Sequence, residues 1–185
     1  AGLPDPTFFK GYLGVNLNVL GLIKGKARFK LTIGEECDVI IPGSSPIEEP
    51  MINDLSPAEG EKEVNVFSVP QATFNIAMGK SFEATGEGGE TVYYRISLKD
   101  FIVKDKDGQS IAGKLIWGKE KTDVRFQSKE ILPPNTELTA EVRIVFEELR
   151  NGEWKQVLTS GKPAYEEKVC HFTTGGAPSD IPVQN

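Results

Sequence analysis

Along most of this chain apolar and polar positions alternate with a period of two. Residues 8–33 read FFKGYLGVNLNVLGLIKGKARFKLTI, with Leu13, Val15, Leu17 and Val19 set against Gly14, Asn16 and Asn18, then Ala27, Phe29, Leu31 and Ile33 against Arg28, Lys30 and Thr32. Such alternation predicts strands with one buried and one wet face. Gly21–Gly25 connects the two runs as a hairpin. A lone two-stranded hairpin is marginal in water, so it must lean on the domain that follows or on strands beyond this segment. We expect it to form a separate small unit at one end.

Residues 41–50, IPGSSPIEEP, hold three prolines, a glycine and two serines. That composition marks a linker and a domain boundary near residue 49. Beyond it, strand patterns recur at short intervals. Val64–Val66 is short; Ala72, Phe74, Ile76 and Met78 alternate with polar or small residues, as do Val92, Tyr94, Ile96 and Leu98. Leu115–Trp117 and Val124–Phe126 follow, then the cleanest alternation, Leu138, Ala140, Val142, Ile144 and Phe146, and last Val169–Thr173. GEGGE at 86–90 is a loop, and Asp107-Gly108 and Asn151-Gly152 are tight-turn signals. No segment carries a helical period. The expected fold is therefore all-β, an antiparallel β-sandwich over residues 50–177 with an additional N-terminal hairpin unit in 1–49 and a tail at 178–185. Phe74, Trp117, Phe126, Val142, Ile144 and Phe172 are the expected core. Ser56-Pro57 is expected to open the first strand, Gly60 to turn before Val64, and Leu132–Thr136 to cross rigidly into the long strand.

Several stretches, taken in order, resemble a known family. SPAEGEKEVNVFSVPQATFNIAM at 56–78, LPPNTELTAEVRIVF at 132–146 and HFTTG at 171–175 are similar to the bacterial Ig-like domains of cell-surface and S-layer-type proteins. Those run Ser-Pro-x-x-Gly, a Val-rich strand, a strand ending Phe-x-x-x-Met, Leu-x-Pro-x-Thr-x-Tyr and a terminal Phe-x-Thr-Gly. The resemblance covers residues 50–177. Leu138 stands where the family has Tyr, and the hairpin around Asn151-Gly152 is longer and more charged. What the resemblance implies is an Ig-like sandwich serving as a structural, spacer or adhesion module, extracellular or in the cell envelope, joined to other domains of a larger polypeptide. It carries no catalytic residues. A large surface protein of Bacteroidetes type is the source it suggests.

Composition narrows the function classes. Charged residues make up 26% and hydrophobic ones 38% of the 185 residues, enough apolar material for a core. The net charge of −6 and scattered basic residues leave no nucleic-acid footprint. No apolar run approaches the roughly 20 residues that cross a bilayer, so no membrane insertion is expected. The opening Ala-Gly-Leu-Pro-Asp-Pro shows no signal-peptide pattern and no initiator Met, which suggests a processed or excised chain.

Candidate chemistry is sparse. Cys170 and His171 adjoin, but neighbours on a strand point to opposite faces, so they cannot act as nucleophile and base within hydrogen-bond reach. With Phe172 in the core, Cys170 shares its face and His171 points outward. Structural zinc needs four Cys or His ligands, and the chain holds three, Cys37, Cys170 and His171. Cys37 and Cys170 are the one possible disulfide, which no spacing argument fixes. The acidic doublets Glu35-Glu36, Glu48-Glu49, Glu147-Glu148 and Glu166-Glu167 are solvated edges before they are catalytic pairs. Asp105–Gly108, DKDG, echoes a calcium loop without its later ligands and is expected to be a hairpin turn. No enzyme activity, cofactor or metal is expected. The remaining candidate contacts are exposed aromatics for a polysaccharide or another surface protein, Trp154 and Tyr165 foremost, with Tyr93 and Tyr12 behind them; the alternative for Trp154 is packing across its hairpin. A carbohydrate- or protein-binding module is thus the second expected function.

Overall fold

In a computed structural model, the structure describes residues 9–19, 23–33, 50–85, 90–159 and 161–177, the first two segments and the ends at 85 and 159 by backbone alone. Residues 86–89 of the loop expected at 86–90, residues 41–49 of the expected linker, Cys37 and the tail at 178–185 lie outside them. Among the described residues every regular element is a strand. In chain order these are β1 (Phe9–Val19), β2 (Ile23–Ile33), β3 (Ile52–Ser56), β4 (Glu61–Val64), β5 (Gln71–Phe74), β6 (Ser81–Thr85) and β7 (Thr91–Asp105). They continue with β8 (Gly113–Trp117), β9 (Asp123–Ser128), β10 (Glu137–Arg150), β11 (Glu153–Gln156), β12 (Leu158–Thr159), β13 (Lys162–Pro163) and β14 (Tyr165–Thr174).

The chain forms two compact units. One gathers residues 1–50, 80–95 and 146–164, the other 51–79, 96–145 and 165–185. The long strands β7 and β10 contribute residues to both. In the first unit β1 pairs antiparallel with β2, β2 with β6 and β6 with β7, while β10 pairs with β11 in the register Leu149↔Trp154 and Arg150↔Glu153. The N-terminal strands therefore share a unit with segments far along the chain. Asn151 (φ 53°) and Gly152 (φ 81°) form the tight turn between β10 and β11, where the left-handed backbone suits Asn and Gly.

The second unit is β-sandwich-like. One sheet has the order β3-β5-β9-β8; facing it, β7, β10, β14 and β4 lie side by side. β10 pairs antiparallel with β14, as do β3 with β5, β5 with β9 and β9 with β8, whereas β14 and β4 run parallel. The core between the layers holds Phe74, Phe101, Phe126, Leu138, Val142, Ile144 and Phe172, all buried. Phe101 and Phe126 bring ring centroids within 5.9 Å across it. Alternation on β14 is unbroken: Cys170, Phe172 and Thr174 are buried, while Tyr165, Glu167, Val169 and His171 are exposed.

Some expectations change in detail. Trp117 is only half-buried, because β8 ends its sheet and its ring merely leans on Phe74, 6.1 Å away between centroids. The alternation over 72–78 stops as a strand at Phe74, where the chain turns and the Asn75 and Met78 N–H groups bond to Met51 and Lys121 carbonyls. Ser56-Pro57 does not open the first strand; it ends β3. At this corner the chain leaves the β3 sheet and enters β4 in the opposite layer. Strands β3, β6 and β11–β13 have too few apolar residues to declare themselves in sequence.

Candidate functional site

The closing strand β14 organises the second unit, and it does so through side chains on its inward face. Glu166 accepts the Met51 and Ile52 N–H groups, at 2.9 and 2.8 Å. Two residues on, Lys168 Nζ donates to the Asn53 carbonyl at 2.8 Å and lies 3.6 Å from Asp54. Two further on, Cys170 Sγ–H donates to the Pro57 carbonyl at 2.8 Å. Three successive inward residues thus hold the main chain of residues 51–57 against β14. The sequence carried a signal of this: Glu166 and Lys168 are charged residues at positions whose parity faces the core.

Thr174, the last inward residue, is buried. Its hydroxyl donates to the Pro133 carbonyl and accepts the Thr136 N–H, and its own N–H bonds to the Thr136 carbonyl at 3.0 Å. Gly175 follows, its N–H on the Val64 carbonyl (2.8 Å) and its carbonyl on the Asn135 N–H (2.9 Å). A Cβ there would come within 3.1 Å of Glu63. The FTTGG run therefore supplies a core phenyl ring, a tie to the 132–136 crossover and a close approach to β4.

Cys170 and His171 part as the alternation requires. Burial, reinforced by the charges of Glu59, Glu61 and Asp54, pushes the Cys170 thiol up to about 11, and the thiol is free. Such a thiol is a poor nucleophile at neutral pH, since the thiolate is the reactive form. His171 is exposed on the other face beside Glu59, which accepts its main-chain N–H at 2.8 Å and lies 3.3 Å from its Nδ1.

The two aromatic residues singled out for ligand contact lie in different units, and each carries an arginine. Trp154 is half-buried opposite Leu149, and the Arg95 guanidinium stands 4.5 Å from its ring centroid. Glu147 holds that guanidinium with bonds of 2.7 and 3.1 Å, which pushes the Arg95 pKa up. Tyr165 is 53% exposed. Arg143 stands 5.1 Å from its centroid and is held by Glu167 at 2.6 and 3.1 Å, again favouring the charged guanidinium. Each is a cation on an aromatic face, fixed by a carboxylate. Arg95 and Arg143 were not anticipated; the Arg143↔Glu167 pairing becomes visible only once the β10–β14 register is known. Tyr93 is exposed on β7, and Tyr12 lies on β1, described by backbone alone.

The acidic doublets in the described residues are engaged one by one. Glu147 meets Arg95, Glu148 meets Arg150 at 2.7 Å, Glu166 meets main-chain N–H groups and Glu167 meets Arg143. Glu35-Glu36 and Glu48-Glu49 lie outside those residues. In the DKDG stretch, Asp105 Oδ1 accepts the Asp107 and Gln109 N–H groups at 3.0 and 2.8 Å, and Gly108 (φ 77°) closes the turn onto the Asp105 carbonyl. This is an Asx-type hairpin turn. Among the described residues no group of three or more His, Cys, Asp or Glu is placed to hold a metal.

Comparison with protein-family models and with curated proteins finds no match for this chain. The chain is an all-β protein with a β-sandwich-like unit in which Glu166, Lys168, Cys170 and Thr174 hold strands and crossovers together.

Proposed function

We propose that this chain is a non-catalytic structural, spacer or adhesion module of a bacterial extracellular or cell-envelope protein, built on an Ig-like sandwich over residues 50–177 with an added N-terminal hairpin. The observation that carries this reading is strand order. Lettered A to G in chain order, β3, β5, β7, β8, β9, β10 and β14 run A-B-E-D in one layer and C-F-G in the other, with β4 added beside G, an order that supports an Ig-type reading. The motif stretches lie at strand ends: Ser56–Gly60 between β3 and β4, Leu132–Thr136 before β10, and Phe172–Gly175 at the close of β14. The engagement of Glu147, Glu148, Glu166 and Glu167 in cross-strand and main-chain contacts supports a mechanical rather than a chemical role. Fold alone does not settle function, so the test is cellular. Antibody against residues 50–177 is expected to label intact, unpermeabilised cells of the source bacterium, and external protease to remove that label. Label appearing only after permeabilisation sinks the proposal.

A carbohydrate- or protein-binding module is the second reading, favoured by the exposure of Tyr165 and Tyr93. Adding polysaccharide is expected to quench or shift Trp154 emission if this reading holds, and a Trp154→Phe variant identifies that signal. Unchanged emission across a panel of surface polysaccharides removes it.

A further inference from the structure

Sheet edges are normally blocked against further pairing by charges, irregular register or covering loops. In the second unit β3 has a register shift between Ile52 and Asp54, and β4 carries Glu61, Lys62 and Glu63 and a register shift of its own. The outer edge of β7 is met by the 105–111 turn, through the Lys104↔Ser110 bridge and the Ile111 N–H on the Val103 carbonyl. Strand β8 has none of these. Among the described residues it pairs with β9 alone, in unbroken register from Gly113↔Ser128 to Trp117↔Val124. It holds no proline and a single charge, Lys114.

The ladder shows which groups are left. Gly118 N–H bonds to the Asp123 carbonyl at 3.1 Å and Lys129 N–H to the Ala112 carbonyl at 2.8 Å. Bonded and unbonded pairs alternate along an antiparallel ladder, so Lys114 and Ile116 bond to β9 while the main-chain groups of Gly113, Leu115 and Trp117 point out from the edge. Leu115 pairs with the buried Phe126 on the core side of the sheet, yet is 39% exposed; Ile116, on the outer side, is 41% exposed. The core is open where a further strand would lie.

Charge indicates the kind of strand. Residues 113–129 hold five basic side chains against two acidic ones, in a chain of net charge −6. Lys114, Lys121, Arg125 and Lys129 are exposed, Arg125 with Asp123 3.8 Å from its Nε. Two copies of this basic hairpin placed edge to edge repel each other. We propose that β8 receives an extended acidic segment of another protein as an added strand. Its main chain bonds to Gly113, Leu115 and Trp117, its apolar side chains cover Leu115 and Trp117, and its acidic side chains face Lys114 and Arg125.

The probes are peptides of about eight residues, a common strand length, alternating valine with glutamate or valine with lysine. The glutamate peptide is expected to bind the full chain and to slow amide exchange at Gly113, Leu115 and Trp117. Lys114→Glu is expected to weaken it by roughly fivefold or more, the scale of a cross-strand charge pair. Leu115→Pro removes an outward N–H without touching the β9 ladder and is expected to abolish binding; should that variant misfold, Lys114→Glu carries the test alone. The proposal is overturned if the lysine peptide binds as well, if the three amides stay unprotected, or if the chain by itself forms dimers that Leu115→Pro dissolves.

Discussion

Thr174 illustrates how much one buried hydroxyl can carry. It bonds to both ends of the Pro133–Thr136 crossover, and a buried polar group left without its partner costs about 1–3 kcal/mol. Thr174→Val, nearly the same shape, is expected to lower stability by that amount in urea unfolding, and Thr174→Ser to recover most of it. Its neighbour Phe172 acts through volume: Phe172→Ala is expected to cost about 3–5 kcal/mol of the roughly 5–15 kcal/mol that holds a domain. An unchanged melting temperature would remove Phe172 from the core. Cys170 supplies a pH dependence. Its thiol titrates at about 11 when folded, above the ordinary cysteine value, so the folded state holds its proton more tightly. That contribution to stability is complete below the ordinary value and is lost as pH rises through about 11. In a Cys37→Ser background, Cys170 is expected to react with a thiol reagent at pH 8 far more slowly folded than unfolded. Equal rates would contradict its burial.

At the scale of elements, the turn between β8 and β9 carries a close contact. Gly118 packs beneath the Asp123 carboxylate, so a Cβ there would stand 1.9 Å from Oδ1 and 2.6 Å from Cγ. Asp123 Oδ2 is buried without a hydrogen-bond partner among the described residues, with Arg125 Nε 3.8 Å away, and the carboxylate occupies space that the glycine leaves. Gly118→Ala is expected to destabilise by about 1–3 kcal/mol, the usual cost of overpacking. Asp123→Ala in the same chain is expected to relieve most of that cost, a coupling a double-mutant cycle measures. Additive effects would mean the two residues do not meet. The alternation of β10 and β14 and the turns at Asp107-Gly108 and Asn151-Gly152 were legible because each is a local pattern with a local physical cause. Strands such as β3, INDLS, were not, because their buried residues are too few to make a period. The aromatic sites were half legible: Trp154 and Tyr165 stand out by type, whereas Arg95 and Arg143 reach them across strands distant in sequence.

On the scale of the whole molecule, the second unit contains none of residues 1–50. A chain beginning at residue 50 is therefore expected to keep the layers β3-β5-β9-β8 and β7-β10-β14-β4 of the second unit, with the amides of Val142, Ile144 and Phe172 as protected against exchange as in the longer chain. Loss of that protection would show that the division near residue 49 cuts through a single cooperative unit. The sequence by itself determined the all-β class, the faces of the long strands and the separation of Cys170 from His171, because a period of two and the backbone preferences of Gly and Asn act within a few residues. Only the tertiary structure decided which strand neighbours which and where each charge goes. Glu166 on the Met51 and Ile52 amides, Arg95 on Trp154 and the open edge of β8 all depend on register and on layers meeting. Those are set by the summed burial of a core that no single stretch of chain contains.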